Sequence, residues 1–363
     1  MKLTIDAKVL AAAVAQCREA IDARPSRPAL GNLFLEVTGD KLKLTGSNES
    51  MSITRSLDAA IEEPGRLCVP DKYFSDIITK LSGEVMLTSE NTQLEIVTSS
   101  SNYTLNGISS EDYPVMPSLD GGQEFMLKAD AIAAGIEFTV PMVSSDESKQ
   151  VLTGLHMNLS PTGLTFAATD GHRLSVHPLE VEQVETLLTT IPGRAARLVP
   201  KLFPEGDIGI IFGDTLIQFF NAESVFITRV MEGQYPQFGQ LIPSSFSKML
   251  RLDRKALATA ISRVMVLASL KNDIVKLEIN QGAITLSAET AEVGKGVEAL
   301  EGDFEGDYAI AFNGKYLLEA TKIFDDQDLI LNMNEPTKPV VIRGGGSPDT
   351  VLYLLMPIQI RPN

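Results

Sequence analysis

Asp170, His172 and His177 place one carboxylate and two imidazoles within eight consecutive residues. An Asp–His pair can serve as a general base, and a carboxylate with two imidazoles can begin a metal site. Neither chemistry is completed nearby. No Ser or Cys signature accompanies the cluster, HExxH is absent, and no second carboxylate pair lies close in sequence. RGGGSPD at 343–349 has three glycines but lacks the Lys and following helix of a phosphate cradle, so it reads as a hairpin tip. GxxxxGK[ST] does not occur, nor does GxGxxG after a strand. Cys17 and Cys68 sit in apolar context without CxxC or a neighbouring His, which argues against a disulfide framework or a zinc site. A hydrolase built on Asp170 and His172 remains an alternative, and enzyme is the weaker class.

The elements that would position these residues recur three times. NLFLEVTGDKLKLTGSN at 32–48, GLHMNLSPTGLTFAATD at 154–170 and IVKLEINQGAITLSAET at 274–290 each read as two alternating strands around a tight turn. Leu42, Leu164 and Ile284 correspond, 122 and 120 residues apart. LAAAV, IAAGI and LATAI, opening at Leu10, Ile132 and Leu257, begin amphipathic helices whose small residues suit close packing on a sheet. A second helix follows Pro70, Pro192 and Asn313, and each unit closes with a strand running into Pro114, Pro236 or Pro357.

A chain of 363 residues exceeds what one hydrophobic core organises. The repeat divides it into three domains, 1–122, 123–245 and 246–363. Two helices per unit among tight-turned strands predict α+β domains with antiparallel sheets rather than parallel crossovers. DGG at 120–122 and PSS at 243–245 supply turn-prone junctions.

Apolar residues make up 44% and charged residues 21% of the chain, as in an ordinary folded protein. The first 20 residues carry Lys2, Asp6 and Lys8 without a continuous apolar run, and no window offers 18 apolar residues in succession. The expected location is the cytoplasm, with no membrane contact. Thirty-one basic against 47 acidic residues give a net charge of −16, yet the six predicted helices (7–20, 71–82, 129–140, 193–203, 253–267 and 314–324) together are positive. Lys72, Arg194 and Lys315 occupy the same place in all three second helices. One such lysine would mean only a solvated helix face. Threefold recurrence on an acidic chain points to a shared electropositive surface, the footprint of a polyanion held by its backbone.

ATDGHRL at 168–174, YLLMP at 353–357, LGNLFLEV at 30–37, EDYP at 111–114 and IAFNGKYLLEA at 310–320 resemble the bacterial DNA sliding clamps, the beta subunits of DNA polymerase III. The resemblance spans the whole chain and includes the threefold repeat. It implies a non-catalytic processivity factor with no cofactor and no metal. Its form would be a head-to-tail homodimeric ring of six similar domains, basic helices lining the hole around double-stranded DNA and sheets outside. A heterologous contact closes into a ring when its rotation is a fraction of a turn. The implied partners are the replicative DNA polymerase, the clamp loader and other proteins carrying clamp-binding peptides.

The resemblance also assigns residues. Arg24, Lys72 and Arg194 match DNA-contacting or basic family positions, and Lys315 joins them through the internal repeat. Gln150 and Val151 stand where the family often has aromatic DNA-contacting residues. A pocket for a short Gln- and Leu/Phe-containing peptide would be formed by Leu152, Thr169, Gly171, His172, Arg173, Leu174, Pro236, Leu241, Asn313, Tyr316, Pro339, Leu354, Leu355, Met356 and Pro357. Gln240, Gln359 and Asn272 depart from the family pattern there, and Arg361, Pro362 and Asn363 extend past the usual end. Tyr103 and Leu105 would meet Val266 and Leu267 across the subunit contact. Apart from the resemblance, an acidic three-domain scaffold that binds proteins without encircling DNA fits the same composition.

Overall fold

The computed structural model describes residues 1–114, 117–119, 124–181, 186–268, 273–348 and 350–359. The chain forms two compact units, Met1–Ala133 with Arg194–Met231, and Ala134–Gly193 with Glu232–Asn363. Among the described residues every strand pairing is antiparallel, as the short turns predict.

The first unit contains an eight-stranded sheet in the order 124–128, 207–212, 216–220, 224–229, 51–58, 41–47, 32–38, 65–70, and a five-stranded sheet ending on Asn102–Asn106. The second contains a nine-stranded sheet in the order 187–192, 154–160, 163–169, 173–179, 352–355, 340–344, 328–333, 248–253, 302–303, and a four-stranded sheet with Gly294–Leu300 at one edge. Both large sheets join strands of successive repeats. Phe226 pairs with Ile53 in one and Leu354 with Leu174 in the other. The middle repeat therefore gives strands to both units.

The three predicted hairpins form, and Leu42, Leu164 and Ile284 are each the second residue of the returning strand, fully buried or nearly so. At the third hairpin Gln281 and Gly282 both take positive φ, 51° and 83°, as a two-residue hairpin turn of this twist requires. Helix α1 (Ala7–Arg18) starts where the Asp6 carboxylate accepts from Lys8 N–H and Val9 N–H, and it buries Leu10, Ala13, Val14 and Cys17 at helical spacing. Gly46 lets the helix approach closely: a Cβ there would lie 2.0 Å from the Cys17 carbonyl oxygen. Cys17 and Cys68 are free and buried, and Cys17 Sγ lies 3.2 Å from the Leu44 carbonyl oxygen.

Helices α2 (Asp71–Ile78) and α3 (Ala129–Thr139) lie at predicted positions. Two expectations need correction. The helix over 193–203 is two short pieces, α4 (Gly193–Ala196) and α5 (Val199–Leu202). Pro200 lacks the N–H that would bond back to Ala196, and its ring opposes a continuous helix. The strands predicted to run into Pro114 and Pro236 end earlier, at Asn106 and Arg229. Tyr113 instead follows a short 3-10 turn, and Tyr235 lies in a loop. In the third repeat Leu352–Leu355 does run directly into Met356 and Pro357. Helices α6 (Arg254–Ala268) and α7 (Gly314–Ile323) complete the set. The hairpin tip predicted at 343–349 lies between strands Val340–Gly344 and Leu352–Leu355, with Asp349 outside the described residues.

Candidate functional site

The turn between strands Gly163–Thr169 and Arg173–Leu179 is built by its own side chains. Asp170 Oδ1 accepts from the backbone N–H of His172 at 2.8 Å and of Arg173 at 3.1 Å, and Thr169 Oγ1 donates to the Arg173 carbonyl at 2.6 Å. Gly171 takes a φ of +93°, which a β-carbon would strain. Asp170 thus meets the main chain of His172 rather than its ring. The His177 ring packs 5.6 Å from Phe138. Among the described residues no group of three or more His, Cys, Asp or Glu is arranged to hold a metal.

Arg173 anchors this turn to α7. Its Nε donates to Asp170 Oδ2 at 2.9 Å, its Nη1 to Glu319, and its Nη2 to the Pro141 carbonyl at 3.2 Å. The guanidinium lies 4.2 Å from the centre of the Tyr316 ring, a cation–π distance. Burial alone would lower its pKa. Tyr353 and the carboxylates of Glu319 and Asp170 outweigh burial and hold it raised. Asn313 caps α7, its Oδ1 accepting from Lys315 N–H and Tyr316 N–H. The His172 ring is stacked 6.5 Å from Tyr316.

The end of the chain joins the same place. Strand Leu352–Leu355 pairs with Arg173–Leu179, and Met356 N–H donates to the His172 carbonyl at 2.9 Å. Pro339 directly precedes the strand whose Val340 pairs with Leu355. Leu174 and Leu354 are buried with Ala167, Val176, Val341 and Leu352 in one apolar cluster, against which Phe238, Ile242 and Phe246 pack. Leu355 and Thr169 are also buried. Exposed surface comes from Gly171, His172, Pro236, Leu241 and Met356, with Leu152, Asn313, Tyr316, Pro339 and Pro357 half-buried. The proposed pocket residues therefore divide into a floor and a rim. Phe238, Ile242, Phe246 and Glu319 were absent from the sequence-based assignment. Glu319 could have been found from its place one helical turn beyond Tyr316. Gln240 is exposed and bonded to Gln237 at 2.7 Å, Gln359 is exposed, and Asn272 with Arg361, Pro362 and Asn363 lies outside the described residues.

Family models for the N-terminal, central and C-terminal domains of the DNA polymerase III beta subunit match residues 1–117, 126–237 and 239–359. The beta sliding clamp of Synechococcus elongatus is 33% identical, covering 99% of this chain and all of that one. The chain belongs to the beta sliding clamp family. A Staphylococcus aureus beta sliding clamp is 30% identical over 94% of each chain. The crystal structure of the Bacillus subtilis DNA polymerase sliding clamp superposes with a TM-score of 0.94 at 26% identity, covering 99% of this chain and 100% of that one.

The four basic residues that the sequence assigns to DNA, Arg24, Lys72, Arg194 and Lys315, fall into two classes. Arg24 and Lys72 are exposed and make no ion pair among the described residues. Arg194 Nη1 lies 2.8 Å from Asp22 and Lys315 Nζ 2.7 Å from Asp273, so two of the matched charges are partly neutralised within the chain. Gln150 and Val151 lie on the 3-10 segment Glu147–Thr153.

Both sets of residues that the resemblance assigns to a subunit contact lie beside open sheet edges. Tyr103, 40% exposed, and Leu105 belong to Asn102–Asn106, the last strand of its sheet. Val266, 71% exposed, and Leu267 lie on α6, which packs on the four-stranded sheet whose edge is Gly294–Leu300. That strand also exposes Val297. An unpaired strand edge is a template for a second chain.

Proposed function

We propose that the chain acts as a processivity factor: a homodimeric ring of domains 1–122, 123–245 and 246–363 that encircles duplex DNA and tethers the replicative polymerase. The observation that carries this reading is the coincidence of three successive clamp-domain matches with the threefold repeat over nearly the whole chain. Catalysis is not required of such a ring. Topological linkage holds it on DNA, so phosphate contacts from Arg24, Lys72, Arg194 and Lys315 stay weak and sequence-independent enough to permit sliding.

The rim of His172, Leu241 and Met356 over an apolar floor suits a linear peptide that inserts aliphatic and aromatic anchors. Polymerase, clamp loader and other clamp-binding proteins would compete for it. The edges at Asn102–Asn106 and Gly294–Leu300 support a head-to-tail subunit contact. Among the described residues no helix is long and apolar enough to cross a membrane. A cytoplasmic location follows from the proposed role in DNA replication.

The test is retention of the loaded protein on nicked circular DNA before and after linearisation. A ring is retained on the circle and lost from the linear form. A scaffold that binds DNA from outside is retained equally on both, and that result would overturn the proposal.

A further inference from the structure

A cavity of about 550 Å³ in the first unit is lined by Arg27, Leu30, Asn48, Ser50, Pro114 and Arg229, among others. It lies against the turn at Asn48, the first unit's counterpart of the Asp170 turn. Asn48 stands 122 residues before Asp170 and makes the same turn, its Oδ1 accepting from Ser50 N–H and Met51 N–H at 2.8 Å each. Ser47 Oγ donates to the Met51 carbonyl at 3.1 Å, as Thr169 does to Arg173. Arg229 N–H donates to the Ser50 carbonyl at 2.8 Å, as Met356 N–H does to His172. Leu30 and Pro114 stand 122 residues before Leu152 and Pro236. The aromatic support recurs too. Phe34 stacks on Tyr113 at 5.3 Å, and His156 on Tyr235 at 4.5 Å.

The hydrogen-bond frame of the two turns is thus shared, although Gly171 takes a positive φ of 93° and its counterpart Glu49 does not, and the chemistry of their walls differs. Arg229 replaces Met356, Ser52 replaces Leu174, and Ile227, paired with Ser52, replaces Leu354. Arg229 Nε donates to the Glu49 carbonyl at 2.8 Å, which uses one of a guanidinium's five donors. Arg27 is 67% exposed, and the Glu49 carboxylate lies 3.7 Å from its Nε. Arg27 lies beside the Glu49 carboxylate, which also accepts from Ser26 Oγ at 2.9 Å, while Arg229 holds only the Glu49 main chain, and both guanidiniums flank an apolar floor of Leu30 and Pro114. An aliphatic and aromatic peptide suited to the other turn would leave these donors without partners.

We infer that this cavity is a second, separate peptide site, selective for a short acidic segment that sets Asp or Glu against Arg27 and Arg229 and Leu or Pro against Leu30 and Pro114. Planar carboxylates match the guanidinium fork, and charge complementarity sets partner choice more than affinity. The inference rests on the peptide reading of the Asp170 turn only in choosing a peptide rather than a free anion.

The experiment is a random-hexapeptide display selection on the full-length protein, counter-selected against Arg27→Glu/Arg229→Glu. The strongest peptide is then labelled for fluorescence anisotropy. Expected are sequences enriched in Asp and Glu whose affinity falls at least tenfold in the double variant. Arg27→Gln, at an exposed position, should alone lower it severalfold. Binding should survive an excess of a Gln- and Leu/Phe-containing clamp-motif peptide and should survive deletion of residues 356–363. Failure of the clamp-motif peptide itself to bind the full-length protein would overturn the Asp170-turn reading while leaving this one standing. The inference is overturned if no acidic sequence is enriched, if the double variant binds equally well, if the clamp-motif peptide displaces the probe, or if a short oligothymidylate binds the cavity in preference to the peptide.

Discussion

Met356 N–H donates to the carbonyl of His172 at 2.9 Å, tying the last strand of the chain to the turn that begins with Asp170. One backbone bond therefore sets Met356 beside the main chain of His172, and with it the exposed rim of the proposed peptide pocket. Ile358 N–H then donates to the Ala311 carbonyl at 2.8 Å, which holds the following residues along Tyr308–Asn313.

Deletion of residues 356–363 should remove the Met356 and Pro357 side of that rim while leaving Leu352–Leu355 paired. A labelled polymerase-tail peptide should bind at least about tenfold more weakly, roughly 1.4 kcal/mol, by fluorescence anisotropy. Equal affinity in a truncated protein that is still dimeric would mean the pocket lies elsewhere.

Arg173→Met places at the second turn the residue that the first turn has at Met51. It would strip Asp170 and Glu319 of a buried partner, since the Arg173 side chain is only 9% exposed. A loss of about 3 kcal/mol in urea unfolding is expected. Adding Glu319→Gln should restore part of it by removing an unpaired charge. No recovery in the double variant would show that the Arg173–Glu319 pair is not what stabilises this corner.

Val266→Asp tests the subunit contact more cleanly than Leu267→Asp. Val266 is 71% exposed, whereas Leu267 is half-buried and lies against Gly296, so its replacement would also disturb the chain's own packing. A carboxylate buried without a partner at the contact should shift the dimer toward monomer. Multi-angle light scattering at low concentration reads this directly, and an unchanged dimer mass would exclude α6 from the interface.

Charge reversal should rank the basic residues by how free they are. Arg24→Glu with Lys72→Glu should shorten retention on nicked circles more than Arg194→Glu with Lys315→Glu, because Asp22 and Asp273 already offset the latter pair. None of these exposed changes should alter folding much. The reverse ranking would mean that DNA opens those ion pairs and takes both cations.

His156 carries an acid-sensitive contribution to stability. Burial pushes its pKa down to about 4, and the imidazole stacks on Tyr235 while Nδ1 lies 3.0 Å from Thr190 Oγ1. The unfolded chain takes up this proton near pH 6.5 and the folded one only near 4. Stability from this group is therefore fully present above 6.5, falls as pH drops toward 4, and levels off below. The full loss is of the order of 3 kcal/mol. His156→Phe copies the Phe34–Tyr113 pair and should flatten the urea midpoint between pH 7 and 4.5 by that share. An unchanged pH slope would show that His156 is not the titrating group.

Much of this was legible before any tertiary structure. Hydrophobic alternation and helical spacing are local, so the hairpins at 32–48, 154–170 and 274–290 and the stripe Leu10, Ala13, Val14, Cys17 could be read directly. The repeat added the equivalence of Pro70, Pro192 and Asn313, each directly before a helix. Pro200 was also visible in the sequence, and the interrupted helix at 193–203 follows from its missing N–H. The sequence by itself thus determined the repeated units, the α+β class and the family. Pairings distant in the chain were decided only by the tertiary structure, because no periodicity encodes which edge meets which. Phe226 against Ile53, Leu354 against Leu174, and Phe238, Ile242 and Phe246 over the buried floor belong to that class. So do the ion pairs that divide Arg194 and Lys315 from Arg24 and Lys72. A charged residue is recognisable from its type, but whether it is free depends on a carboxylate that folding brings within 3 Å of it.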